Sequence, residues 1–361
     1  MRILCLGASY GSLLATKLVL AGQEVTLACR GEEAVLIARE GTRVRLRLKG
    51  REGLVELDSR RLSGRLTASV PDEIEPGRFD LVVLAMQEPQ YSGAGVRELL
   101  ARIGEAGGPC LSIMNMPPPP FLARLPGVAV DSCASCYAEP ALWSGLDPER
   151  TTHSSPDPQA FRPPAEGLNV LEVGLPTNFK AARFSREADT ALLRKLASEI
   201  DAARFDGLEV PVKLKVHDSL FVPLAKWPMQ LAGNYRCVTA NGIRSIRDAV
   251  HADFGASRAV YEWVQALCRS LGAGAGDEVP FEKYAAAAEQ LARPSSAARA
   301  ISSGAPRIER VDRLVQTLAR QKGLQSVAVD EIVALVDSRL EANRLAAERG
   351  AARAGGVGSG H

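Results

Sequence analysis

The sequence predicts an α/β fold in its first half and an all-helical second half. Three observations carry this. Short apolar runs at Ile3–Leu6, Glu24–Arg30, Asp80–Met86 and Pro109–Asn115 alternate with helical patterns, the signature of a parallel sheet with helices on both faces. The run DLVVLAM at 80–86 is apolar almost throughout, as a parallel strand covered on both sides should be. After about Arg186, amphipathic segments such as READTALLRKLASEI and RIERVDRLVQTLARQKG follow one another, with no strand expected between them. The expected division is 1–183 for the sheet domain, 184–347 for the helical domain and 348–361 for a disordered tail.

Each element follows from local chemistry. Ile3–Leu6 is the first strand. Gly11–Ala21 is the first helix, stopped by Gly22, a residue that ends helices because it enters left-handed backbone freely. In TRVRLRLKGREGLVEL, Val44, Leu46 and Leu48 alternate with Arg43, Arg45 and Arg47, which reads as a half-exposed hairpin turning near Gly50–Gly53. VAV at 128–130 and LNVLEVG at 168–174 read as later strands of the sheet. The stretch 148–167 is rich in Pro, Ser and Asp and reads as a surface loop. The four prolines 117–120 read as stiff, extended chain.

Composition excludes several classes. The 361 residues are 46% apolar and 24% charged, with a net charge of +2. That is a globular balance, with no basic excess to serve a nucleic acid. No apolar run approaches the ~20 residues needed to cross a membrane, and MRILCLGASYG does not read as a signal peptide; the expectation is a cytoplasmic protein. Seven cysteines in such a chain are expected to be reduced and buried. Cys133 and Cys136 form a lone C-x-x-C without a second pair or matching histidines, so no metal site is expected.

The stretch LGASYGSLLA behind the first strand is placed like a dinucleotide-binding turn. The three positions of G-x-G-x-x-G are Gly7, Ser9 and Ser12, with Gly11 between. The first glycine makes the tight turn, the second admits the pyrophosphate and the third lets the helix approach the sheet. Gly7 keeps the first task, and Ser9 offers a hydroxyl where the phosphate comes. Ser12 is small enough for close packing. The helix N-terminus supplies free N–H groups and a positive dipole end. This makes the first half Rossmann-like. The second strand ends at Arg30 where NAD-binding versions carry an acid, so the expected cofactor is NADP, its 2′-phosphate held by the guanidinium.

In the helical half, Lys226, Gln230 and Asn234 are spaced i, i+4, i+8 and share one face of a helix. A cation and two amides in a row suit a carbonyl and a carboxylate. Pro228 within the stretch predicts a bend. At this point the chain resembles the ketopantoate reductase family (2-dehydropantoate 2-reductase). The matching features are the Lys-x3-Asn-x3-Asn run, seen as Lys226, Gln230 and Asn234, and the ANG after it. Asn115 at a strand end, Arg30, and the pair Ser295–Ser296 opening a late helix also match.

The resemblance implies a helical substrate domain, an active site in a cleft between the two domains, and hydride transfer from NADPH to a 2-oxo acid. It implies Lys226 as general acid, its pKa lowered by burial. It also implies Asn115, Gln230 and Asn234 as further catalytic residues, Ser296 and Arg307 as substrate-binding, and Gly7, Ser9, Gly11, Ser12, Arg30 and Gln87 as cofactor-binding. Four positions depart from the family: Gln87 stands for a lysine, Gln230 for an Asn, Ala300 for an Asp, and Arg307 for a glutamate, unless the register places Glu309 there. These departures point away from ketopantoate itself. Two other readings stay open: an opine-type imine dehydrogenase, with Arg307 holding a second carboxylate, and a non-catalytic NADP-binding or sensing protein. The apolar helical half is compatible with a homodimer.

Overall fold

The computed structural model describes residues 1–356. The chain divides into two compact units: residues 1–125 with 139–223, and residues 126–138 with 224 onward. The boundary expected near 183 therefore lies at Pro223, and the first unit also gives up a short excursion to the second.

The first unit is built on an eight-stranded sheet. Its strands are β1 (Arg2–Leu6), β2 (Glu24–Ala28), β5 (Arg65–Ser69), β6 (Leu81–Leu84), β7 (Cys110–Ile113), β8 (Thr151–Ser155), β11 (Phe179–Ala182) and β14 (Leu214–His217), in the order β14-β11-β8-β7-β6-β1-β2-β5. All pairs are parallel except β8 with β11. Strand order reverses beside β1, between β2 and β6, which is where doubly wound folds bind ligands. Along β1, Ile3 and Cys5 join a buried cluster with Leu14 and Leu18 of helix α1 (Tyr10–Leu20) and Leu193 and Leu196 of α5 (Glu187–Ala202). Leu4 and Leu6, also buried, alternate to the other face. The remaining helices of the unit are α2 (Gly31–Glu40), α3 (Val96–Ala106) and α4 (Pro119–Leu122).

The predicted hairpin is β3 (Arg43–Leu46) with β4 (Val55–Asp58). It is joined by β9 (Gln159–Phe161) and β10 (Val170–Leu175) in a separate four-stranded sheet, β4-β3-β10-β9. LNVLEVG is thus a strand of this smaller sheet, not the last of the large one. The expected loop 148–167 contains two strands. Its first, TTHSS, is buried at every residue. Polar side chains are accommodated there by hydrogen bonds: Thr151 Oγ1 donates to the Asp147 carbonyl (2.8 Å), Thr152 Oγ1 to that of Ala182 (2.7 Å), and His153 Nδ1 pairs with Ser112 Oγ (2.8 Å). The segment KLKVH likewise adds the edge strand β14, so the region after 186 is not wholly helical. A small hairpin of β12 (Arg204–Phe205) and β13 (Leu208–Glu209) precedes it. The proline run is extended only to Pro118; Pro119 and Pro120 open α4, where a first turn needs no N–H donors.

The second unit holds α6 (Trp227–Met229), α7 (Ile246–His251), α8 (Phe254–Leu271), α9 (Phe281–Ala288), α10 (Ser296–Ser302), α11 (Val311–Gln321) and α12 (Val327–Gly356), with a hairpin of β15 (Val238–Thr239) and β16 (Gly242–Ile243). VAV is no strand: a 3-10 turn, Val130–Cys136, packs against α11. Gln321 Nε2 approaches Cys133 Sγ at 3.6 Å and Cys136 Sγ lies 3.5 Å from Thr317 Oγ1. All seven cysteines are buried free thiols. α12 carries helical backbone to Gly356, into the expected tail; residues 357–361 lie outside the described residues. Among the described residues no helix is long and apolar enough to cross a membrane.

Candidate functional site

In the first unit the turn after β1 opens onto a cleft of about 1110 Å³. Gly7, Ala8 and Ser9 line it together with Ala28, Cys29 and Arg30 from the end of β2, and Met86, Pro89 and Gln90 after β6. Gly7 has φ +96°, and a Cβ there would fall 2.5 Å from Met86 Cγ and 2.9 Å from the Ala85 carbonyl oxygen. Only glycine fits. Ser9 is the N-cap of α1, and its side chain makes no capping bond, so its hydroxyl is not spent on the helix. Gly11 does not line the cleft. It lets α1 approach the sheet, with Ala85 Cβ at 3.5 Å and Cys5 Cβ at 3.8 Å from the Cβ it lacks. Ser12 is buried and donates from Oγ to the Ala8 carbonyl (2.7 Å), stiffening the turn from behind.

Arg30 is exposed at the N-cap of α2. Glu32 and Glu33 follow in the first turn of that helix and also line the cleft. Several lining residues were missed by sequence reasoning, Arg162 among them. Arg162, after β9, donates from Nη2 to the Ala8 carbonyl (2.7 Å) and forms an ion pair with Glu33. No local motif marks it; pairing of β9 with β10 and of β10 with β3 brings it there. Gln87 is exposed and is not among the lining residues; its turn contributes Met86, Pro89 and Gln90 instead. Asn115 lies half-buried just beyond β7.

In the second unit the Lys226–Asn234 stretch is not one α-helix. A 3-10 turn (Val222–Lys226) leads into α6, then a π-turn (Gln230–Asn234) and a further 3-10 turn (Tyr235–Cys237). Pro228 falls in the first turn of α6, where its missing N–H is tolerated. The single face that Lys226, Gln230 and Asn234 would share on a continuous α-helix is thus replaced by a stretch in which three helix types follow one another.

Side chains from three elements hold the stretch. Tyr284 of α9 donates to the Met229 carbonyl (3.1 Å). Ser295 donates to the Asn234 carbonyl (2.7 Å) while capping α10 through the Ala298 N–H. Tyr235 donates to the Glu309 carbonyl (2.6 Å) and accepts from the Val311 N–H (2.9 Å). Burial pushes the Tyr235 phenol well above its usual range, so it stays a neutral donor. Gly233 makes room for Tyr284: a Cβ there would lie 1.9 Å from its hydroxyl.

Gln230 is buried, and Lys226 and Asn234 are half-buried. Of the serine pair, Ser295 is the buried one; Ser296 is exposed. Arg307 is exposed too, whereas Glu309 is 6% exposed and its carbonyl is the one Tyr235 holds. Lys213 and Lys215, whose charges could compete with Lys226 for a role, belong to the first unit, paired with Asp201 at 3.3 and 3.4 Å.

No family model matches the chain, and no curated protein matches it. Many solved structures do. A Ralstonia solanacearum chain assigned as a ketopantoate reductase superposes with a TM-score of 0.66 at 15% identity, covering 94% of this chain and 98% of its own. D-mandelate dehydrogenase, solved with NADH and anilino(oxo)acetate, gives 0.64 at 14% identity over 95% and 100%. A dimeric ketopantoate reductase from Staphylococcus aureus gives 0.61 at 10% identity over 95% and 100%. The chain therefore has the fold of the ketopantoate reductases, an α/β unit with a helical C-terminal region.

Proposed function

We propose that the protein is a divergent member of the ketopantoate reductase family that reduces a 2-oxo acid with NADPH, and that it works as a homodimer. The observation that carries the reading is the Lys226–Gln230–Asn234 stretch, a cation and two amides on a segment held by Tyr284, Ser295 and Tyr235. The first unit supports the cofactor. A dinucleotide fits the glycine-only corner at Gly7, the unspent Ser9 hydroxyl and the open N-terminus of α1. Arg30 at the cleft edge suits a 2′-phosphate. When bound, the nicotinamide supplies a hydride to the substrate carbonyl carbon.

The chain's own residues do the rest. The Lys226 ammonium polarises the carbonyl oxygen and delivers the proton that completes the alcohol. Gln230 and Asn234 orient the oxygens of the acid by hydrogen bonding. Ser295 fixes the backbone at Asn234. The burial of Glu309 supports the slipped register, in which it and not Arg307 matches the family's glutamate. The exposure of Arg307 favours a single-carboxylate 2-oxo acid over an opine-type product.

The test is oxidation of NADPH, followed at 340 nm, against a panel of 2-oxo acids with and without amino acids. Lys226→Ala is expected to lose at least 10²-fold in kcat while NADPH still binds. Turnover that survives this substitution sinks the assignment. Turnover that needs an added amine moves it to imine reduction. NADPH binding without turnover on any acid leaves a sensing protein.

A further inference from the structure

We propose that Arg162 is a second arginine of the dinucleotide site, held in waiting by Glu33 and released to the adenosine 2′-phosphate when the cofactor arrives. The inference rests on the reductase reading above and adds a specificity residue to it.

Place is the first argument. Arg30 and Arg162 line the same cleft from different sheets. Arg30 is the N-cap of α2 and Glu33 its third helical residue, so they stand one turn apart, about 5–6 Å between Cβ atoms. The ion pair with Glu33 brings the Arg162 guanidinium to the same helical turn as Arg30.

Charge is the second. Two carboxylates, Glu32 and Glu33, open α2 at the cleft, and left alone they would repel a phosphate. Glu33 has a side chain only 10% exposed, and Arg162 sits on it at 30%. At that depth solvent screens the pair weakly. Glu33 thus competes with an incoming phosphate for the guanidinium, and that competition is what Glu33→Gln removes.

The third argument is unfilled bonding capacity. Arg162 Nε is buried without a hydrogen-bond partner, although a guanidinium has five N–H donors in a fork that fits phosphate in pairs. Its present pose therefore leaves capacity that a phosphate, with three acceptor oxygens, can use. Departure also does little harm to the turn. The Ala8 carbonyl that Arg162 touches is bonded by Ser12 Oγ as well, so it keeps a partner when the guanidinium swings away.

The experiment is fluorescence titration of the full chain with NADPH and with NADH, for wild type, Arg162→Met and Glu33→Gln. Arg162→Met is expected to weaken NADPH about 10- to 100-fold, the range of a charged hydrogen bond, and NADH less than threefold. Glu33→Gln frees the arginine and is expected to tighten NADPH several-fold with NADH unchanged. Equal weakening of both nucleotides by Arg162→Met overturns the inference alone, because Arg162 then only braces the Gly7–Ser9 turn. A Glu33→Gln variant that binds NADPH more weakly overturns it too. Wild-type protein that binds neither nucleotide overturns the reductase reading and this inference with it.

Discussion

Gly233→Ala tests why the Lys226–Asn234 stretch takes a π-turn. The new Cβ would lie 1.9 Å from the Tyr284 hydroxyl oxygen and 3.2 Å from the ring carbon that bears it. Tyr284 is 6% exposed and its ring stacks on Tyr261 with centroids 5.4 Å apart, so it has no easy retreat. Overpacking costs about 1–3 kcal/mol. Losing the bond to the Met229 carbonyl in a buried place costs about 1–3 kcal/mol more. Alanine returns about 1 kcal/mol of helix propensity over glycine. The net expectation is a destabilisation of about 1–5 kcal/mol. Tyr284→Phe removes the oxygen, so the nearest remaining contact is the 3.2 Å one, and alone it should cost about 1 kcal/mol. The double variant should then be less destabilised than the sum of the singles, by at least about 1.5 kcal/mol. Equilibrium urea unfolding of the four proteins measures this. Additivity within about 0.5 kcal/mol would refute the claim that the hydroxyl is what Gly233 accommodates. Turnover adds a second reading. Without the tyrosine oxygen the stretch is free to relax toward α geometry, so the double variant should regain stability and not kcat.

Gly7→Ala combines a left-handed backbone with a Cβ 2.5 Å from Met86 Cγ. It is expected to lower stability by about 2–4 kcal/mol and to abolish the rise in melting temperature on adding NADPH; a variant still stabilised by the nucleotide contradicts the cradle. Lys17 is 1% exposed, and burial, then the nearby Lys213 charge, lowers its pKa to about 7. An unfolded chain keeps that proton to about pH 10.4. Between pH 7 and 10 the unfolded state thus binds more protons, and stability rises with pH by up to about 1.4 kcal/mol per unit from this group. Lys17→Met should remove that rise in denaturation midpoints at pH 7 and 9; a variant with the wild-type slope refutes the assignment.

The sheet's first strands, the glycine turn and Arg30 were legible because local pattern decides them. Apolar runs and a positive-φ glycine leave few alternatives. TTHSS was not legible, since its burial depends on acceptors such as the Ala182 carbonyl, 30 residues away. Nor was β14, whose pairing with β11 gives KLKVH its place. The stretch 226–234 is not the single α-helix that its spacing predicts, and the side chains that hold it, Tyr284 and Ser295, come from residues about 55 and 61 positions away from the carbonyls they bond. That Arg307 is exposed and Glu309 buried is a matter of packing, which spacing does not supply. Arg162 carries no motif at all, and only the second sheet brings it to the cleft.

The excursion 126–138 has a consequence for how the chain comes into being. Its partner α11 begins at Val311, 311 − 138 = 173 residues later, so on the ribosome the segment waits roughly 10–35 s at ordinary synthesis rates. Through that interval Cys133 and Cys136, buried in the finished protein, lack the cover of Thr317 and Gln321. Burial later pushes the Cys133 thiol up to about 11 and makes it inert. A gene cut at residue 223 would yield a first unit carrying an orphaned loop, and a second unit lacking part of its own core.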